Sequence, residues 1–246
     1  MRILLSGICG HMGQEVVRLA AAGCRGAEIA SGVDVTATGD ETIPTASSFD
    51  LANANVDCII DFSHHAATAA LLAFAVKNRL PLVLATTGQT EEERAAIRAA
   101  AEKTPIFFAA NYSLGIALLI ELAKKAVSLM PGAEIEIVET HHDRKADAPS
   151  GTALAIAEAI REVRPELAAH TGRAGYGKRS PNEIGIHSIR MGDAVGTHEV
   201  LIGTKSETIT LKHEAHSRAL FAEGALAAAE FLIGKPAGLY DMRSLI

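Results

Sequence analysis

The chain has 246 residues, and 23 Lys and Arg against 29 Asp and Glu leave a net charge of −6. That balance argues against nucleic acid or an anionic membrane as a general partner. No apolar run, Leu71–Val76 included, approaches the length of a bilayer span. Cys9, Cys24 and Cys58 are odd in number, lack metal spacing and read as reduced core thiols; with no signal-peptide pattern before the first strand, the expectation is a cytoplasmic protein. The length allows two modest domains, each with its own core.

Arg2–Ser6 reads as a short apolar strand, followed by Gly7-Ile-Cys-Gly-His-Met-Gly13 and a helix over Gln14–Ala22. Strand, glycine turn and helix are the setting of a dinucleotide fingerprint: the glycines give a tight turn, close approach to a pyrophosphate and close helix–strand packing. The spacing, G-x-x-G-x-x-G, is a variant and unspecific by itself. Glu28–Asp34 reads as a second strand ending in an acid, roughly 20 residues beyond the last glycine, the separation expected of the carboxylate that binds the adenosine ribose. Val35 follows where a basic residue would hold a 2′-phosphate. NADH is therefore favoured, while His11 leaves NADPH admissible.

Thr36–Asn55 is expected to be loop with a short helix. Strands over Val56–Asp61, Pro81–Ala85 and Pro105–Ala109 alternate with helices over Ala66–Lys77 and Glu91–Glu102. This alternation predicts an α/β fold with a Rossmann-type doubly wound parallel sheet. Turns at the carboxyl ends of such strands line ligands; Phe62-Ser63, Thr86-Thr87-Gly88 and Asn111-Tyr112 are the candidates for the ribose–nicotinamide half. His64-His65 lack a companion set of metal ligands, and no metal is expected.

Beyond a long helix, Ile116–Leu129, the pattern changes. Ala133–Glu139 alternates, and further strands are expected over Ile184–Arg190, Gly196–Gly203 and Glu207–His213. Strands without long helices between them imply a second, α+β domain with an open mixed sheet. The expected division is 1–112 with 217–246 for the dinucleotide-binding domain, and 113–216 for substrate binding and oligomerisation. An Ala-rich helix over Ser217–Gly234 leads to a tail that returns to the first domain.

The stretch from Ile137 to Ala153 concentrates chemistry. A strand ends in His141 and His142, Arg144 and Lys145 follow, and Ser150-Gly151-Thr152 open the helix Ala153–Val163. Imidazoles, an ammonium and the backbone donors of a helix start suit a small anionic ligand. Like charges so crowded are costly unless something anionic offsets them.

With Gly7–Gly13, Thr86-Thr-Gly88, Asn111-Tyr-Ser113, His141-His-Asp-Arg-Lys-Ala-Asp-Ala-Pro-Ser-Gly-Thr-Ala153 and Arg190-Met-Gly-Asp-Ala-Val-Gly-Thr-His198 in order, the chain resembles the 4-hydroxy-tetrahydrodipicolinate reductase (dihydrodipicolinate reductase) family from end to end. The resemblance implies NAD(P)H-dependent reduction of a small cyclic imine carrying two carboxylates, in the diaminopimelate route to lysine, by a homotetramer assembled through the open sheet. It places the catalytic imidazole on His141 and the catalytic lysine on Lys145. Substrate carboxylate contacts fall on His142, Ser150, Gly151 and Thr152. Cofactor contacts fall on Gly7, Ile8, Cys9, Gly10, His11, Met12 and Asp34, and on the nicotinamide side on Ala85, Thr86, Thr87, Ala109, Ala110, Asn111 and Tyr112. His11 and Val35 depart from the NADPH-preferring pattern. A semialdehyde dehydrogenase would need a thiolate in the second domain, and all three Cys lie in the first. A catalytically silent nucleotide-sensing regulator on the same fold is the alternative; it would be free to lose the cationic cluster, which is intact.

Overall fold

The structure is a computed structural model and describes residues 1–37 and 42–246; residues 38–41 of the stretch expected to be loop lie outside them. In chain order the elements are β1 (Arg2–Ser6), α1 (His11–Ala21), β2 (Glu28–Val33), β3 (Thr45–Ala46), β4 (Cys58–Asp61), α2 (Thr68–Asn78), β5 (Leu82–Leu84), α3 (Glu91–Ala101), β6 (Pro105–Phe108), α4 (Leu114–Leu129), β7 (Glu134–His141), α5 (Gly151–Val163), β8 (Ala168–Thr171), β9 (Glu183–Arg190), β10 (Gly196–Gly203), β11 (Thr208–Ala215), α6 (Ala219–Leu232) and β12 (Gly238–Tyr240). They divide into two compact units, Met1–Ser113 with Ala219–Ile246, and Leu114–Arg218.

In the first unit seven strands run in the order β12-β6-β5-β4-β1-β2-β3, and every pairing is parallel. Parallel strands covered on both faces need apolar side chains on both, which is why Ile3, Leu4, Leu5, Ile59 and Ile60 are consecutive and fully buried. The order reverses between β1 and β4, the switch point at which such sheets bind ligands. The helix α3 begins where Thr90 and Glu93 cap each other: Glu93 N–H donates to Thr90 Oγ1 (3.2 Å) and Thr90 N–H donates to Glu93 Oε2 (2.8 Å). Helix α6 is small-residue-rich because it lies against the sheet: a Cβ on Gly224 would stand 1.7 Å from the Tyr112 carbonyl oxygen. The tail after α6 contributes β12, which runs beside β6.

The second unit carries a mixed sheet in the order β11-β10-β7-β9-β8. Strand β10 is antiparallel to β7 and β11, whereas β9 is parallel to both β7 and β8. Its core lies on one face only, where Ile135, Ile137, Val200 and Ile202 pack with Ile156 and Ile160 of α5 and Ile116 and Leu119 of α4. Burying each such side chain is worth about 1.5–3 kcal/mol. The parity of β7 and β10 is strict: residues 135, 137, 139 and 141 and residues 196, 198, 200 and 202 are buried, and their neighbours are half-exposed or exposed. Among the described residues no helix is long and apolar enough to cross a membrane.

Candidate active site

In the first unit a cavity of about 860 Å³ is walled by Gly7, Gly10, Asp34, Val35, Phe62 and Ser63 among others, and continues along α2. Its volume is that of a site for a drug-sized or cofactor-sized molecule. Gly7 has φ +77°, and a Cβ there would stand 2.5 Å from the Phe62 carbonyl oxygen; a Cβ on Gly13 would stand 2.2 Å from the Gly7 carbonyl oxygen. The turn is thus tight enough to press the start of α1 against β1. Gly10 caps α1 without a side chain, and no acid stands in its first turn, so the helix start presents backbone donors and a positive dipole end to the loop.

Asp34, just past β2, accepts hydrogen bonds from Cys9 N–H (3.0 Å), Thr36 N–H (3.0 Å) and the Thr36 hydroxyl (2.7 Å). Burial works against its charge, but these donors hold its carboxyl below the usual range, so it is ionised beside the glycine loop. A pyridine dinucleotide fits this set of residues. The nicotinamide-side segments stand at the carboxyl ends of β5 and β6 and are not in the wall of the 860 Å³ cavity. Thr86 is buried and its hydroxyl donates to Asp61 Oδ2 (2.6 Å), whose Oδ1 accepts from Ser63 (2.6 Å). Burial pushes the Asp61 carboxyl up. The Tyr112 hydroxyl donates to the strand carbonyls of Leu84 (2.9 Å) and Phe107 (3.1 Å), and Asn111 Oδ1 accepts from Ser113 N–H (2.8 Å). These last two side chains therefore brace the turn. His64 caps a helical turn by accepting from Ala66 N–H (3.2 Å), and His65 Nδ1 lies 3.1 Å from Glu93.

The second unit assembles the cluster around Ile137–Ala153. Strand β7 continues through His141, which is paired with Arg190 of β9. His141 is buried, and its Nδ1 lies 2.5 Å from Glu139 Oε2. Glu139 is fully buried and also accepts from Arg190 Nη1 (2.8 Å, to Oε2), Arg190 Nη2 (2.8 Å, to Oε1) and Ser150 N–H (3.1 Å, to Oε1). Burial raises its carboxyl, but hydrogen bonds from Arg190, Ser188, His141 and Ser150 bring it down to about 2. Ser150 caps α5 by accepting from Ala153 N–H (3.2 Å), and its Oγ is 3.2 Å from His198 Nε2. His198 stands edge-on to His141, ring centroids 5.2 Å apart. Burial first, then the neighbouring His141, pushes its imidazole down to about 4, so it is neutral. A Cβ at Gly196 would come within 3.0 Å of His141 Nε2, so the absence of a side chain there leaves room for the ring.

Lys145 Nζ lies 2.8 Å from Asp147 Oδ1, and Arg144 is ion-paired with Asp143 (3.0 Å) and Asp193 (2.6 Å). The crowded cations are therefore offset by the chain's own carboxylates as well as by any ligand, which corrects the inference drawn from their crowding. His142 Nδ1 is buried without a hydrogen-bond partner among the described residues. His141, His142, Lys145 and Ser150–Thr152 all stand between the end of β7 and the first turn of α5. Glu139, Arg190 and His198 belong to the same cluster and were not singled out from the sequence as site residues. The signal was there for two of them: Glu139 and His198 fall on the apolar parity of their strands, where a charged or titratable side chain needs a reason.

Family models described as dihydrodipicolinate reductase, N-terminus and C-terminus, match residues 1–112 and 115–246 respectively. Curated relatives named 4-hydroxy-tetrahydrodipicolinate reductase run the whole length. That of Caldanaerobacter subterraneus subsp. tengcongensis is 44% identical over 252 residues, with 100% of this chain and 98% of the relative covered. That of Akkermansia muciniphila is 43% identical over 252 residues, with 99% and 97% covered. Among solved structures, dipicolinate-bound dihydrodipicolinate reductase from Paenisporosarcina sp. TG-14 superposes with a TM-score of 0.83 at 26% identity, covering 100% of this chain and 99% of that one. A probable dehydrogenase from Thermotoga maritima, TM-score 0.65 at 10% identity over 100% of this chain and 92% of that one, shares the fold. The silent-regulator alternative gains no support from these relatives. With both units matched in full and at this identity, the chain belongs to the dihydrodipicolinate reductase family.

Proposed function

We propose that the chain reduces dihydrodipicolinate, formed by loss of water from 4-hydroxy-tetrahydrodipicolinate, to tetrahydrodipicolinate in the diaminopimelate route of lysine biosynthesis. The observation that carries this reading is the placing of a buried, carboxylate-bound imidazole beside a lysine and a helix start, in a chain that matches reductases over its whole length. The first unit is the dinucleotide-binding domain, and a bound reduced nicotinamide supplies the hydride. Asp34, with Cys9 and Thr36 around it, would accept from the ribose hydroxyls, and the α1 start would hold the pyrophosphate. NADH is the favoured donor. The sequence carries no Lys or Arg between Arg25 and Lys77, and Lys77 stands ten residues beyond Ala67, roughly 15 Å along α2 from the glycine-loop end of the cavity.

The second unit is the substrate domain. His141 donates the proton that quenches the electron density left when the ring accepts hydride. Lys145, held by Asp147, stabilises negative charge at the ring nitrogen. His142 and the Ser150-Gly151-Thr152 turn hold the carboxylates, where helix-start N–H groups match an anion. Arg144, two-thirds exposed and paired with two aspartates, stays outside the reaction. The half-exposed outer face of the sheet, with Val138, Thr140, Thr197 and Leu201 and the exposed Ile189 beside them, supports assembly of a homotetramer through that face. The reading includes a cytoplasmic location.

The test is a coupled assay in which an upstream synthase makes the substrate from aspartate semialdehyde and pyruvate while oxidation of NADH and of NADPH is followed. His141→Gln and Lys145→Ala are each expected to bind nucleotide normally and lose about 10²–10⁴-fold in kcat, the usual contribution of a positioned acid. Near wild-type turnover in both variants would sink the assignment.

A further inference from the structure

Glu139 is the most deeply buried charge in the second unit's site, and its oxygens are shared between two functional parts. Oε2 faces His141 Nδ1 and Oε1 faces the Ser150 N–H that begins the α5 cap, while Arg190 bridges both oxygens from the neighbouring strand. Strand register produces this: His198, Glu139 and Ser188 are cross-strand partners in one row, and His141 and Arg190 are partners in a row beside it. All lie on the parity that faces the core.

We propose that Glu139 is the positioning residue of this site, keeping hydrogen on His141 Nδ1 so that Nε2 is the nitrogen that takes up a proton from solvent and passes it to the substrate, which returns the ring to the Nδ1–H tautomer, and setting the Ser150 turn with its other oxygen. The inference rests on the reading of His141 as proton donor. A carboxylate that receives two guanidinium N–H groups and a backbone N–H is ionised and can only accept, so the nitrogen facing it must carry hydrogen. The other titratable or charged groups of this cluster are His198 from β10, whose ring stands 5.2 Å from that of His141, and His142, Lys145 and Asp147 from the loop after β7. None of them faces Nδ1 within hydrogen-bond distance in the described residues, so the tautomer is set by Glu139. One residue thereby ties the proton donor to the carboxylate-binding turn, and a shift of β7 would move both together.

The test uses the full chain with NADH bound and ¹⁵N-labelled histidine. In the wild type, neutral His141 should show the Nδ1–H tautomer; the Nε2–H tautomer would overturn the proposal before any variant is made. In Glu139→Gln, Arg190 claims the amide oxygen and turns the NH₂ toward Nδ1, so the tautomer should reverse and kcat should fall about 10²–10⁴-fold. A role confined to neutralising Arg190 would leave the tautomer unmoved. Because Glu139→Gln strands the Arg190 charge and can unfold the unit, the double variant Glu139→Gln/Arg190→Met removes both charges. It should fold, lose the fixed tautomer, and remain at least about tenfold slower than wild type. A folded double variant with the wild-type tautomer and rate overturns the proposal. Failure of the reductase reading has a different signature, fast His141→Gln, and leaves the tautomer result standing.

Discussion

Asp34 holds together the turn after its own strand and the glycine loop, through Thr36 and Cys9, and still borders the cavity. Removing it should therefore act on the nucleotide selectively. Asp34→Ala is expected to raise the NADH dissociation constant by about 10–100-fold, the size of one or two hydrogen bonds to a charged group, and to affect NADPH less, because the same carboxylate repels a 2′-phosphate. Equal losses in parallel titrations of the two nucleotides would remove Asp34 from the ribose. This residue was legible in the sequence because spacing from a glycine motif is local. His141, Lys145 and the Ser150 turn were legible for the same reason, being consecutive along one loop. Glu139 and His198 left only a parity signal and Arg190 none, since the three meet only through the register of three strands that are distant in sequence. Asp61 escaped for a similar cause: its partners Ser63 and Thr86 come together only when β4 and β5 pair.

Elements whose apolar pattern is dictated by burial were readable, and β11, with no fully buried residue, was readable from the alternation of Ile209 and Leu211. Five strands of the parallel sheet, β1, β2, β4, β5 and β6, follow their sequence pattern, whereas the two-residue β3 and the tail strand β12 were not expected as strands. Strand β8 was missed because all four of its residues are exposed at the sheet edge and show no alternation. Strand β7 runs two residues beyond Glu139, since His141 keeps the inward parity and pairs with Arg190 although it is not apolar. The glycine turn makes its own prediction at this scale. Gly13→Ala would place a Cβ 2.2 Å from the Gly7 carbonyl oxygen, so the start of α1 must move away from β1. Overpacking of this kind costs about 1–3 kcal/mol. Thermal melting should show that loss together with weakened NADH binding; a variant with unchanged melting and affinity would show that the turn tolerates the shift.

For the molecule as a whole, the buried cluster makes stability depend on acidity in two steps. His198 titrates near 6.5 when unfolded and at about 4 when folded, so between those values the unfolded chain binds more protons and stability falls as pH falls. Glu139 has its carboxyl at about 2 against 4.5 unfolded, so its contribution is complete above pH 4.5 and is lost as pH drops toward 2. Each shift corresponds to about 3 kcal/mol. Urea melts followed by circular dichroism should show stability declining from near pH 6.5, and His198→Gln should flatten the slope down to pH 4; an unchanged slope would place the titration elsewhere. The return of the chain has a different consequence. Helix α6 and β12 complete a sheet whose other strands were made before the second unit began. On a ribosome, Met1–Ser113 must wait with the β6 edge unpaired while Leu114–Arg218, contiguous and with a core of its own, can fold as soon as it emerges. The order in which the two units begin and the order in which they can be completed are thus reversed, and the first unit, although encoded first, is the last to become whole.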